Sequence, residues 1–251
     1  MESWNVDTLR SATGPDGRSA VDEQRLREEL HGMYTEVGFY DPAAWKIASA
    51  EIDEHTLRIL GHPVMEDWER PYMEKLAEIA TSRGGRILEI GFGMGISAAS
   101  ISRRYGRADR PVTEHIIIEG NHDVANLARK FRDEHPAGVV RIIEGLSYDV
   151  IGQIEDGSLD GILHDAYPLD ESQVQNQAHF ADTAYRLLKP GGIFTYFSDE
   201  PTAYRPEHLK LLLDAGFERD AIGQEIVEVD VPADCAYWKS GTILAPILQK
   251  R

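Results

Sequence analysis

Apolar positions recur along this chain with two periods, and the switch between them outlines the fold. Val21 to Val37 repeats at helical spacing, with Leu26, Leu30, Met33 and Val37 on one face. Phe39-Tyr40-Asp41-Pro42 breaks that run. Trp45 to Leu60 reads as a second, weaker helical stretch. Pro63 to Ala80 reads as a third, with Met65, Trp68, Tyr72, Leu76 and Ile79 broadly on one side. Beyond Gly84-Gly85, short apolar runs alternate with helical ones. Strands are predicted near 86–90, 114–118, 139–143, 159–164 and 192–197, and helices near 96–104, 122–134, 171–188 and 206–214. Lys189-Pro190-Gly191-Gly192 stops a helix just before a strand. Runs at 225–231 and 242–247 follow each other with no helix between them, which predicts an antiparallel hairpin. The expectation is an α/β fold: a doubly wound, seven-stranded, mostly parallel, Rossmann-like sheet with an N-terminal helical lid. Residues 1–20 form a polar, flexible start, 21–83 the helical lid segment and 84–251 the core.

The strand Arg86 to Ile90 runs into Gly91-Phe92-Gly93-Met94-Gly95, and a helical pattern starts at Ile96. Glycine at such a point lets the backbone turn tightly and approach a ligand. The next strand ends in Glu119, 24 positions after Gly95, where a carboxylate can take both hydroxyls of a ribose. The dinucleotide fingerprint requires a small residue where Ile96 stands. The tight G-x-G-x-G, with Glu89 two positions before its first glycine, resembles S-adenosylmethionine binding instead. In a doubly wound sheet, ligands lie at the carboxyl ends of the strands near the switch in strand order. That places Asp165-Ala166-Tyr167-Pro168, after the fourth strand, beside the glycine loop. An aspartate before a proline also suits a simple Asx-turn, a bland reading that its position outweighs.

Composition narrows the class. The chain has 251 residues, 42% hydrophobic and 8% aromatic, as expected of one globular domain. Neither a membrane-spanning run nor a signal peptide is recognisable. The single Cys235 excludes an internal disulfide and suits a reducing cytoplasm, and no Cys/His cluster has zinc-ligand spacing. A formal charge of −17 disfavours nucleic acid and favours a cationic substrate.

A family resemblance adds to this. Leu57 to Met73, with its Met65-x-x-Trp68-Glu69-x-Pro71-Tyr72-Met73 core, resembles the entry segment of guanidinoacetate N-methyltransferase. So do Gly84 to Gly95, Asp160 to Leu169, Arg186 to Tyr196 and Pro232 to Tyr237. The similarity covers roughly residues 45 to 251. It implies S-adenosylmethionine-dependent methylation of a guanidino group. Carried over by position, Glu69 and Asp165 hold the guanidine. Met65, Met73 and Trp45 close over the cofactor, and Gly91, Phe92, Gly93, Met94, Gly95, Ile96 and Ser97 wrap its methionine part. Glu119, Gly120 and Asn121 take the ribose, and Ser147 and Tyr148 lie by the adenine. Met65 and Tyr167 also border the substrate. For Glu69 alone a solvated helix charge is the commoner role, and for Trp68 core packing is preferred.

A carboxylate pair suits a planar cation with paired N–H groups. With a guanidinium pKa near ~13.8, freeing a nitrogen lone pair at pH 7 costs about 9 kcal/mol, so the proton must leave as the methyl arrives. Asp165 is the candidate acceptor and Glu69 the orienting partner. The chain departs from the family pattern in three places. Ser198-Asp199-Glu200-Pro201 stands where the family has a neutral turn meeting a carboxylate, the segment after strand five is shorter, and Ala166 replaces a threonine. Asp199 and Glu200 would repel a carboxylate and suit an ammonium, although capping a solvent loop is an equal alternative. The expected substrate is therefore free L-arginine or an arginine-derived metabolite. Guanidinoacetate itself, a protein arginine side chain, and a silent cofactor-binding module are the alternatives. The expected partner is a small guanidino molecule, with neither nucleic acid nor membrane. A homodimer is compatible with the sequence but does not follow from it.

Overall fold

The computed structural model describes residues 41–170, 173 and 178–251. The helical run expected at Val21 to Val37 lies outside them. Seven strands form the central sheet: β4 (Gly85–Ile90), β5 (Val112–Glu119), β6 (Val140–Glu144), β7 (Leu159–His164), β8 (Leu188–Tyr196), β9 (Ile222–Glu228) and β10 (Thr242–Gln249). Their order is β6-β5-β4-β7-β8-β10-β9. The first five pair in parallel, while β10 runs antiparallel to both β8 and β9. This is the expected Rossmann-like sheet. The strand order reverses between β4 and β7, which puts the ends of those two strands at the ligand-binding crevice.

One layer covers the sheet with α2 (Arg70–Ala80) and α3 (Ile96–Ser102), which pack with Leu57, Ile59, Ile87, Ile117 and Leu163. The opposite layer includes α6 (Ala181–Leu187) and α7 (Pro206–Asp214), over Leu88, Ile116, Ile162 and Phe194. Alternate residues of β7 divide between the two cores, Ile162 to one and Leu163 to the other, as the strand period requires. No described helix is long and apolar enough to cross a membrane.

The segment expected to be a helix at 45–60 is helical only to Ile47 and then turns to strand. After the short α1 (Pro42–Ile47), β1 (Ala50–Ile52), β2 (Thr56–Ile59) and β3 (His62–Glu66) form a separate antiparallel sheet. Two turns decide it. Asp53 accepts from the backbone N–H groups of His55 and Thr56, both at 2.8 Å, making an Asx-turn between β1 and β2. Leu60 and Gly61 both have positive φ, 53° and 81°, and join β2 to β3 in a two-residue hairpin. Leu57 and Ile59 then alternate inward. The helix expected from Pro63 begins only at Arg70, after a single 3-10 turn, Asp67–Glu69.

Candidate active site

The carboxyl ends of β4, β5 and β7 border a cavity of about 560 Å³. The backbone pulls these ends together. Gly91 N–H donates to the Ile118 carbonyl and Asp165 N–H to the Ile90 carbonyl, each at 2.9 Å. Gly91 has φ 88°, and a Cβ there would stand 1.9 Å from the Asp165 carbonyl oxygen. Only glycine lets the loop and the Asp165 segment lie this close. Gly93 is constrained from the other side, since a Cβ would lie 2.8 Å from Met65 Sδ. That sulfur in turn accepts from Met94 N–H at 3.2 Å.

Glu119 ends β5 in the cavity wall. Its carboxylate accepts from Phe92 N–H at 2.9 Å and Asn121 N–H at 2.8 Å, so the glycine loop is tied to the next strand. Burial pushes this carboxyl above its ordinary pKa, and the backbone N–H groups partly oppose the rise. Asn121 caps α4 (His122–Asp133) through its side-chain oxygen and donates its amide to the Trp45 and Ala48 carbonyls at 2.8 and 2.9 Å. That amide anchors α1 to the loop. The Trp45 ring stacks on Tyr167 with centroids 4.6 Å apart, and the Tyr167 hydroxyl lies 3.0 Å from His62 Nδ1.

Two carboxylates distant in sequence share the cavity wall. Asp165 follows the end of β7, and Glu69 closes the 3-10 turn before α2. Glu69 Oε1 accepts from Glu66 N–H at 2.9 Å and from the Tyr237 hydroxyl. Burial and the neighbouring Asp165 raise the Glu69 pKa to about 8. Burial, then the charges of Asp199, Glu89 and Glu119, raise Asp165 to about 7. The wall contains no Lys or Arg among the described residues. His164, also in the wall, is held neutral by burial, its pKa lowered to about 3. The arrangement is an acidic cavity with two carboxyls poised near neutrality, suited to a cation that must lose a proton.

Of the residues expected at the site, Trp45, Met65, Glu69, Gly91, Gly93, Glu119, Gly120, Ser147, Tyr148, Asp165, Tyr167 and Asp199 line this cavity. Met73, Phe92, Met94, Gly95, Ile96, Ser97 and Asn121 do not line it. Ser97, for example, donates to the buried Glu89, whose other oxygen is 2.9 Å from His115 Nε2. Glu200 needs correction as a substrate ligand. It is fully buried away from the cavity, with Oε1 2.9 Å from both Arg205 Nε and His208 Nδ1. Its neighbour Asp199 does reach the wall, with φ 52°. Tyr237, Phe197 and His179 are wall residues that the sequence reading missed. Tyr237 falls within a segment resembling the family, but no local spacing ties it to Glu69.

Solved structures share this fold. A spermidine synthase in complex with the transition state analogue AdoDATO superposes with a TM-score of 0.54 at 18% identity, over 78% of this chain and 65% of that one. Spermidine synthase from Thermotoga maritima gives 0.52 at 14%, over 81% and 72%. At such identities the likeness is one of fold. Sequence relatives include an uncharacterised protein of Methanocaldococcus jannaschii, 29% identical over 55% of this chain and 46% of its own length. Protein arginine N-methyltransferase 2 of Yarrowia lipolytica is 28% identical over 54% of this chain and 28% of its own. A tRNA (guanine-N(7)-)-methyltransferase of Neisseria gonorrhoeae is 30% identical over 51% and 53%. The chain thus spans about half or less of the length of these relatives. The sheet order and the glycine loop between β4 and α3 define a Rossmann-like α/β domain. More particularly, the guanidinoacetate N-methyltransferase family model matches residues 37–251, and the chain belongs to that family.

The site's chemistry fits S-adenosylmethionine. Gly91 and Gly93 offer bare backbone to the cavity, Glu119 presents a carboxylate to it, and its volume is ordinary for a small-molecule pocket.

Proposed function

We propose that this protein N-methylates the guanidino group of a small cationic molecule, free L-arginine or an arginine-derived metabolite. The observation that carries this reading is the pair of buried Glu69 and half-buried Asp165 on one cavity beside the glycine loop, in a wall whose described residues include no Lys or Arg. In this reading Gly91 and Gly93 meet the methionine part of the cofactor, Glu119 takes the ribose hydroxyls, and Ser147 and Tyr148 border the base. When bound, S-adenosylmethionine supplies an electrophilic methyl group on a sulfonium.

The residues of the chain do the rest. Glu69 and Asp165 draw in the guanidinium, and its charge favours the ionised form of both carboxyls. Together they fix the accepting nitrogen in line with the methyl, which removes much of the entropic barrier. As the N–C bond forms and the S–C bond breaks, the nitrogen becomes acidic and its proton passes to the Asp165 carboxylate. Trp45, Tyr167 and Phe197 keep water from the site. Asp199 is the one acid of the 198–201 turn that lines the cavity, and it favours a substrate carrying an ammonium there over one carrying a carboxylate.

The test is mass-spectrometric turnover with S-adenosylmethionine and a panel of arginine, its decarboxylated amine and guanidinoacetate. The expected result is a preference of about tenfold or more in kcat/KM for an amine-bearing compound over guanidinoacetate, narrowed by Asp199→Asn. Efficient methylation of guanidinoacetate with both others inert would assign the family's namesake substrate instead.

A further inference from the structure

Glu69 does not face the cavity with both of its oxygens equally available. Oε1 accepts from two donors, the Glu66 N–H at 2.9 Å and the Tyr237 hydroxyl. Oε2 accepts no hydrogen bond among the described residues, and Glu69 lines the cavity. The two donors come from opposite ends of the chain. Glu66 ends β3 and forms a reciprocal capping box with Glu69 across the 3-10 turn. Tyr237 lies in the loop between β9 and β10 and is 168 residues from Glu69.

That loop is braced. Cys235 N–H donates to the Pro232 carbonyl at 3.0 Å, and Lys239 Nζ donates to the carbonyls of Ala233, at 3.3 Å, and Cys235. The Tyr237 ring packs on Trp68, with centroids 5.8 Å apart, and Trp68 Nε1 donates to Glu66 Oε2 at 2.7 Å. Glu66, Trp68 and Tyr237 thus form one brace around Glu69. Asp165 differs: among the described residues no hydrogen bond supports its carboxylate.

We propose that Tyr237 is a positioning residue for the methyl-accepting site: with the Glu66 N–H it occupies Glu69 Oε1, so that Glu69 offers one oxygen to the substrate cation. This rests on the guanidino reading above. A guanidinium then meets the two carboxylates unequally. Asp165 can take two N–H groups side by side, while Glu69 takes one and sets the tilt of the plane. Two donors on Oε1 also favour an ionised Glu69 against burial and against the charges of Asp165 and Glu66, the other groups that bear on it.

Tyr237→Phe removes one donor and keeps the ring on Trp68. In ligand-free protein followed by carbon-detected NMR, the Glu69 titration midpoint should rise. By calorimetry in the presence of S-adenosylhomocysteine, the affinity for methylguanidine at pH 7 should fall by about tenfold or more and recover toward wild type by pH 9. With a methylated substrate, KM at pH 7 should rise more than kcat falls. Wild-type affinity for S-adenosylhomocysteine in the variant confirms the fold. In a Glu69→Gln background, Tyr237→Phe should add no further loss.

An unmoved Glu69 midpoint, or a loss of affinity equal at every pH, would overturn the proposal and leave Tyr237 as packing alone. If wild-type protein binds no guanidinium compound at any pH, the guanidino reading fails. The ligand-free titration then still decides whether Tyr237 governs Glu69.

Discussion

Asp165 and Glu69 bear the same charge in the same cavity, yet their surroundings assign them different work. Two donors hold Glu69 on one oxygen, whereas nothing among the described residues hydrogen-bonds the Asp165 carboxylate, and burial with three neighbouring acids lifts its pKa to about 7. A base works best with a pKa near the working pH and with its oxygens free to accept. Asp165→Asn keeps the shape and removes both the charge and the proton acceptor. It should lower kcat by a factor on the order of 10² or more, with a smaller effect on cofactor affinity. Single-turnover kinetics beside calorimetry would separate the two. Near-normal turnover would mean that the proton leaves by another route.

At the scale of elements, the glycine loop and the Asp165 segment are one unit, because β4 and β7 deliver them to the same place. Gly91→Ala tests that unit. Its φ of 88° strains any other residue, and the new Cβ would stand 1.9 Å from the Asp165 carbonyl, so one of the two segments must move. The expected cost is on the order of 2–4 kcal/mol in denaturant unfolding, together with loss of turnover. Gly138→Ala is the control. It has φ 84° with nothing within 4 Å of a Cβ, so it should cost only about 1 kcal/mol. Equal costs would refute the steric coupling. Elements were readable in the sequence where one period ruled. The strand 159–164 and the helix 206–214 agree with the structure residue for residue. The 45–60 stretch misled because its two strands are three and four residues long, too short to show alternation against a helical background. What marks them is turn chemistry, Asp53 and Leu60-Gly61. Much of the site was legible for a related reason: the glycine loop, Glu119 and Asp165 each sit at the end of an apolar strand. Glu200 and Tyr237 were not legible, since which way a loop side chain turns depends on distant partners, His208 with Arg205 for one and Glu69 for the other.

For the whole molecule, the active site is a standing electrostatic strain that bound substrate relieves. With pKa values of about 8 and about 7, Glu69 and Asp165 keep protons in the folded state that the unfolded chain has lost above pH 4 to 5. Between there and pH 8 the native state binds more protons than the unfolded one, so stability must fall as pH rises, and level off above the folded pKa values. His164 acts in the opposite sense. Its pKa, lowered to about 3, adds stability as pH rises toward 6.5 and contributes no slope beyond. Above pH 6.5 the slope therefore excludes His164 and carries the carboxyls together with His55, which its hydrogen bond to Asp67 raises and which replacing the carboxyls leaves in place. Ligand-free protein should lose stability there, by up to about 1.4 kcal/mol per pH unit for each proton still held. Urea unfolding at a series of pH values measures it. Replacing both groups (Glu69→Gln with Asp165→Asn) should flatten the slope and make the protein more stable than wild type at pH 8, at the expense of turnover. A saturating guanidinium compound should flatten it too, because the cation lets both carboxyls ionise in the folded state, and its binding should release protons near pH 7. A slope the same in the double variant as in wild type would place the pH dependence elsewhere and remove the electrostatic basis for a cationic substrate.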